Sequence, residues 1–184
     1  MAKRTAKDFS RKQIWRVATN YAFTSNEYSH EYYEREFEIS TGTFYTLLKK
    51  AVIENIVDDE IVELMSRKAK YNASLHAGES GEKRSEKHYE YLKKKRAIYV
   101  LPKDEAIKIT MKYCDTVRSK KEFARENCIT VKLLDRTIMK SIVESWVSDE
   151  IVMRLKKKSL RKNPDALEFW EKVEKLRENN KNQG

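Results

Sequence analysis

The tetrapeptide Asp59-Glu60-Ile61-Val62 returns as Asp149-Glu150-Ile151-Val152, 90 residues further along the chain. Internal repetition constrains a fold more than composition does, because both copies must satisfy one packing plan. Held at that offset without gaps, residues 29–62 pair with 119–152, and 11 of 34 positions are identical. The identities are Ser29, Arg35, Glu36, Ile39, Lys50, Glu54, Val57 and the four residues of the repeated block, each with its partner. Character is kept at further positions: Tyr33 with Phe123, Ser40 with Thr130, Phe44 with Leu134, Leu48 with Ile138 and Val52 with Ile142. The chain reads as a duplicated unit.

Apolar spacing predicts four helices per copy. Ile14, Val17, Ala18, Tyr21 and Ala22 make one face of a first helix over 10–23. Its counterpart starts near Pro102 and Asp104, with Ala106, Ile109, Thr110 and Tyr113 inward; Pro102 suits a first turn, where its missing N–H has no helical partner. Ser29 and Ser119 are N-caps for a short second helix, and Ser40 and Thr130 for a third. The third helices bury matching faces, Phe44, Leu47, Leu48, Ala51 and Val52 against Leu134, Thr137, Ile138, Ser141 and Ile142. A fourth helix starts at Asp58 or Ser148. Between the copies, 72–83 holds two of the four glycines and reads as a loop, followed by a basic helix over 85–99. Asn163-Pro164-Asp165 initiates a last helix with Ala166, Phe169, Trp170, Val173 and Leu176 on one face, and the final residues should fray.

With four glycines, two prolines and 37% charged residues, the expected class is all-α. The expected organisation is a first unit over 1–71, a linker and basic connecting helix over 72–101, a second unit over 102–160, and a C-terminal helix and tail over 161–184.

In the second copy, Glu122-Phe123-Ala124-Arg125-Glu126-Asn127-Cys128-Ile129-Thr130-Val131-Lys132-Leu133-Leu134-Asp135-Arg136-Thr137-Ile138 resembles the helix-turn-helix of bacterial and phage regulators. Ala124 matches that family's small residue at the helix crossing, Ile129 its apolar turn residue and Thr130 its cap. Ile39-Ser40-Thr41-Gly42-Thr43-Phe44-Tyr45-Thr46-Leu47-Leu48 follows the same plan in the first copy. The resemblance covers about 30 residues per copy. It implies two tandem helix-turn-helix units, a duplex DNA partner and a role as a phage or mobile-element transcription regulator. Two departures stand out. Cys128 and Glu38 occupy the family's turn glycine, where a positive φ costs a non-glycine residue roughly 1 kcal/mol, so wider or differently shaped turns are expected. Glu34 replaces the small residue in the first copy.

The third helix would be the reading helix. In the second copy, Lys132 and Arg136 reach guanine edges or phosphates and Asp135 accepts from cytosine N4. Thr130 and the N–H groups around it and Val131 anchor a phosphate, and Lys140 follows on the same helix. In the first copy, Ser40, Thr41, Gly42, Thr43, Tyr45 and Thr46 form the corresponding surface, with Lys49 and Lys50 on the backbone. Lys93, Lys94, Lys95 and Arg96, and Lys156, Lys157 and Lys158, are the phosphate clusters.

Charge supports an anionic partner: the net is +10, and residues 1–70 carry 12 basic against 11 acidic residues, whereas 71–103 and 104–159 each carry an excess of four basic residues. The second copy is thus expected to supply more of the binding energy. Cys114 and Cys128 lack CxxC spacing, and His30, His76 and His88 are scattered, so neither a metal nor a cofactor is expected. No phosphate-binding glycine loop, zinc-protease or serine-hydrolase motif occurs, and the protein is expected not to be an enzyme. No apolar run reaches a membrane-spanning length and the start does not read as a signal peptide, so a cytoplasmic, non-membrane protein is expected. Two alternatives remain open: a homo-oligomeric DNA-packaging or recombination accessory like a terminase small subunit, and a module that binds and inhibits a protein partner without DNA.

Overall fold

The computed structural model describes residues 4–25, 30–163 and 166–181. The Ser29 cap and the Pro164-Asp165 start of the last helix lie outside the described residues. Among those described, nine α-helices and one 3-10 turn form an all-α protein, and no helix is long and apolar enough to cross a membrane. Contacts divide the chain into two units, one running to Tyr99 and including Arg125–Thr130, the other comprising Val100–Ala124 and everything from Val131 onward.

The first unit begins with α1 (Arg11–Phe23), capped by Ser10, whose hydroxyl accepts from the Gln13 N–H while the Gln13 side chain takes the Ser10 N–H at 2.9 Å. The reciprocal pair satisfies two donors that a helix start leaves over. Helices α2 (His30–Phe37) and α3 (Thr41–Ile53) follow, then α4 (Asp59–Ile98). Ile14, Val17, Ala18 and Tyr21 of α1 meet Tyr33 of α2 and Phe44, Leu47, Leu48, Ala51 and Val52 of α3 in one core. Tyr33 stacks on Phe44 at 4.8 Å between centroids, with Tyr21 edge-on to both.

Helix α4 overturns the expected loop at 72–83. The stretch is helical apart from a break at Ala77 and Gly78, where Gly78 adopts φ 53° and ψ −148°, a conformation open to glycine. Gly81 is buried, and a Cβ there would lie 2.4 Å from the Ala73 carbonyl oxygen. The two glycines read as linker composition therefore form a tight corner, and the chain doubles back. Tyr89 and Leu92 of the second arm join the core beside Val62 and Met65 of the first. The basic helix expected to connect the two units thus belongs to the first unit.

The second unit repeats this plan with α5 (Lys103–Asp115), α6 (Lys120–Glu126), α7 (Val131–Val143), α8 (Asp149–Lys162) and α9 (Leu167–Lys181). Helices α3 and α7 each span 13 residues at the 90-residue offset, as do the starts of α4 and α8. The first helices run at an offset of 92, placing Tyr113 and Thr110 where Tyr21 and Ala18 stand. Thr110 hydrogen-bonds Ser141 at 3.2 Å inside the α5–α7 crossing, so this core is more polar than its counterpart.

The duplication also extends further than the sequence alignment reached. Trp170, Val173 and Arg177 of α9 occupy the roles of Tyr89, Leu92 and Arg96 in the second arm of α4, at an offset of 81. The aromatic and the aliphatic residue are buried in both. Arg96 bonds Asp59 at 3.1 Å, and Arg177 bonds Asp149, the same position in the repeated block, at 2.5 Å. The repeating unit therefore has five helices, and the helix expected as a separate C-terminal element closes the second copy.

Candidate nucleic-acid interface

The turn leading into each third helix has the geometry a glycine would give it. Glu38 has φ 53° and Cys128 φ 49°, both left-handed. The expectation of wider or differently shaped turns is corrected: the chain accepts the strain, because Ile39 and Ile129, which follow directly, are driven into the cores at 0% and 4% exposure. A second strained pair, Asn55 at 52° and Ser145 at 53°, follows the ends of the third helices. Four non-glycine residues thus hold left-handed conformations in repeat register.

The end of the first helix in each copy is capped by a lysine, a role that sequence reading missed. Lys68 is 4% exposed, and its Nζ reaches the carbonyl oxygens of Tyr21 at 3.0 Å, Thr24 at 2.7 Å and Ser25 at 3.1 Å, and the Tyr33 hydroxyl at 3.0 Å. The ammonium satisfies carbonyls that the end of α1 leaves over and faces the negative end of its dipole. Its Nζ also sits 4.9 Å from the Tyr21 ring centroid. Burial lowers the lysine pKa from its ordinary value. Lys158 does the same in the second copy, donating to the Tyr113 and Thr116 carbonyls with its Nζ 4.1 Å from the Tyr113 ring centroid. The pair lies at the 90-residue offset, a few positions beyond the aligned block, so extending the alignment across Lys68 and Lys158 would have revealed it.

These contacts sort the predicted residues. On α7, Lys132 and Asp135 are exposed, and Val131, Arg136 and Lys140 are half-buried. Arg136 lies one turn after Lys132 and its Nε donates to the Lys132 carbonyl at 3.3 Å. Asp135 pairs with Lys120 at 2.6 Å; both are about half exposed, a setting in which an ion pair contributes about 1 kcal/mol or less. Lys140 places its Nζ 5.4 Å from the Trp146 ring centroid. Thr130 departs from its predicted role as phosphate anchor. It is 5% exposed, and within the first unit its N–H donates to the Asn55 carbonyl at 3.1 Å and its hydroxyl lies 3.4 Å from Asn55 Oδ1.

On α3, Thr41, Gly42, Tyr45, Thr46 and Lys49 are exposed in one stripe, with Thr43 and Lys50 half-buried beside it. Ser40 is the cap, its Oγ accepting from the Thr43 N–H at 3.2 Å, which commits it to the helix start. Thr41 donates to Glu34, Thr46 to the Gly42 carbonyl at 2.8 Å, and Lys50 pairs with Glu54 at 3.8 Å. The hydroxyl surface is therefore largely engaged with its own helix and with α2.

Two members of the phosphate clusters are structural. Arg96 is 6% exposed and donates to the Val52 and Val57 carbonyls at 3.1 and 2.7 Å as well as to Asp59, so it ties the end of α3 to the start of α4 and does not face solvent. Lys158 is occupied as described. Lys93 pairs with Glu63 and Lys156 with Glu174, while Lys94, Lys95 and Lys157 are exposed. Lys95 Nζ lies 5.6 Å from the Tyr91 ring centroid. Among the described residues no group of three His, Cys, Asp or Glu side chains is arranged to hold a metal ion, and Cys114 and Cys128 are free thiols whose pKa burial raises. No protein-family model, curated protein or solved structure matches this chain.

Proposed function

We propose that the protein is a non-enzymatic duplex DNA-binding protein whose two five-helix copies are tandem helix-turn-helix units, with the second copy reading the groove. The observation that carries this reading is the start of α7. Lys132 is exposed and Arg136, half-buried, follows one turn later, just after a tight left-handed turn, on a helix held from behind by Leu133, Leu134 and Ile142. A cationic pair at that spacing on the first two turns of a supported helix suits guanine edges and flanking phosphates. Lys94, Lys95 and Lys157 add sequence-independent attraction to the phosphate backbone. The setting that goes with the resemblance is a phage or mobile-element transcription regulator.

Selection from a random duplex library tests this reading, because enrichment reports both binding and the site read. Enrichment of one motif supports the reading. A library that stays unenriched while the folded protein is retained rejects groove reading. Binding without enrichment, falling steeply as salt rises, would reduce the role to backbone attachment.

A further inference from the structure

Equivalent helices of the two copies border clefts of very different size. In the first unit a cleft of about 240 Å³ lies between α3 and the second arm of α4, lined by Tyr21, Tyr45, Leu48 and Tyr89 among others. Tyr45 leans into it. Its ring packs edge-on to Phe44 at 5.5 Å, burial raises its hydroxyl pKa, and its charge when ionised would push up those of both Tyr21 and Tyr89. In the second unit the corresponding positions are Tyr113, Asp135, Ile138 and Trp170, and they line a cleft of about 980 Å³ between α7 and α9. The exchange of Tyr45 for Asp135 removes an aromatic ring, and the Asp135 carboxylate pairs with Lys120.

Three features describe what would fill that space. Met139, Phe169 and Leu176 line it together with Tyr113 and Trp170, so its occupant is apolar and of aromatic size. Phe169 and Leu176 remain 47% and 51% exposed, so apolar area is left open along the groove. Lys120, Arg136, Lys140, Lys158 and Lys162 line it too, against Asp135 and Glu144, leaving the lining cationic. The Trp170 indole N–H is a third: the residue is 3% exposed, and its Nε1 finds no acceptor among the described residues. A buried donor without an acceptor destabilises the fold, and a ligand oxygen that reached it would relieve that cost. The volume lies within the range of small-molecule pockets, roughly 300–1,000 Å³.

We infer that the α7–α9 groove of the second unit binds a small aromatic anion, a carboxylate or sulfonate whose ring packs on the apolar lining beside the position where the first unit carries the half-exposed Tyr45 ring. The inference does not rest on DNA binding, and its test contains no DNA.

Titrating the full chain with 1-anilinonaphthalene-8-sulfonate, an aromatic sulfonate, and with its uncharged analogue N-phenyl-1-naphthylamine tests the proposal. One saturable site per chain is expected, with the neutral analogue at least about tenfold weaker. Asp135→Tyr, which installs the first copy's residue, and Met139→Trp, which fills the groove from the next turn, should each weaken the sulfonate at least about tenfold. Lys140→Glu should weaken the sulfonate about fivefold and leave the neutral analogue unchanged. Circular dichroism and melting curves identify any variant that fails to fold. The Trp170 indole N–H resonance, assigned with Trp170→Phe, should shift on sulfonate addition. Sulfonate binding that survives both groove-filling variants would overturn the proposal, as would equal affinity for the neutral analogue. So would a wild-type dimer that becomes monomeric in Met139→Trp, because the groove would then be occupied by a second copy.

Discussion

The two copies share a skeleton to within a few residues and differ in what their third helices offer. Glu38 and Cys128, Asn55 and Ser145, Lys68 and Lys158, and Arg96 and Arg177 hold equivalent places in the backbone and its caps. The outer stripes have diverged completely: exposed Gly42, Tyr45, Thr46 and Lys49 correspond to exposed Lys132 and Asp135 and half-buried Arg136 and Met139. Residues that close turns and satisfy buried carbonyls are restricted by geometry, whereas a solvated stripe is open to whatever binding requires. The difference locates the copy-specific role on α7 and its groove, and the common role of the duplication in the scaffold.

The comparison breaks most easily at the buried lysines. Lys68→Ala strands three carbonyls and a tyrosine hydroxyl, and denaturant unfolding should show a loss of about 3 kcal/mol, whereas Lys158→Ala, half-buried with two carbonyl partners, should lose about 1 kcal/mol. Equal losses would mean that the two ammonium caps are not graded by burial. The fifth helices come next. Arg96→Ala leaves two buried carbonyls and Asp59 without their donor and should cost about 2–3 kcal/mol in the same measurement. Arg177→Ala should lower stability as well, and a neutral result there would deny that α9 belongs to the repeat.

The corner in α4 has no counterpart within a helix of the second unit, and it should yield to Gly81→Ala. The new Cβ meets the Ala73 carbonyl oxygen, and a loss of about 1–3 kcal/mol is expected by thermal unfolding. The smallest effect has the opposite sign. Glu38→Gly and Cys128→Gly should each raise stability, by about 0.5–1 kcal/mol, because glycine takes the left-handed turn without strain. A decrease at either position would show that the side chain contributes more than its backbone strain costs.

Much of the scaffold was legible from spacing. The 3.6-residue apolar pattern marked α1, α3, α5 and α7, and the Ser40 cap and the helix starts at Asp58 and Ser148 stand in the structure. The corner at Gly78 and Gly81 was not, because glycine in a polar stretch gives the same composition whether it makes a flexible linker or a tight crossing. The fifth helix was hidden by a change of offset from 90 to 81, which no ungapped alignment follows. At the candidate interface, Lys132, Asp135, Thr41, Gly42, Tyr45 and Thr46 lie on exposed faces, whereas Arg136 and Thr43 are half-buried. Arg96, Thr130 and Lys158 were misassigned for one reason: a cation or hydroxyl in a basic sequence looks alike whether it meets solvent or a buried carbonyl. Only the third dimension separates the two.

The most direct test of the account compares paired variants of the two third helices by fluorescence anisotropy on a labelled duplex carrying the selected site, at fixed salt. Lys132→Ala with Arg136→Ala should weaken binding by about 30-fold or more and flatten the preference between selected and scrambled duplex. Thr46→Ala with Lys49→Ala should weaken it by less than about threefold. Equal losses from the two pairs, or unchanged affinity and preference in the Lys132/Arg136 variant, would contradict the assignment of DNA reading to the second copy.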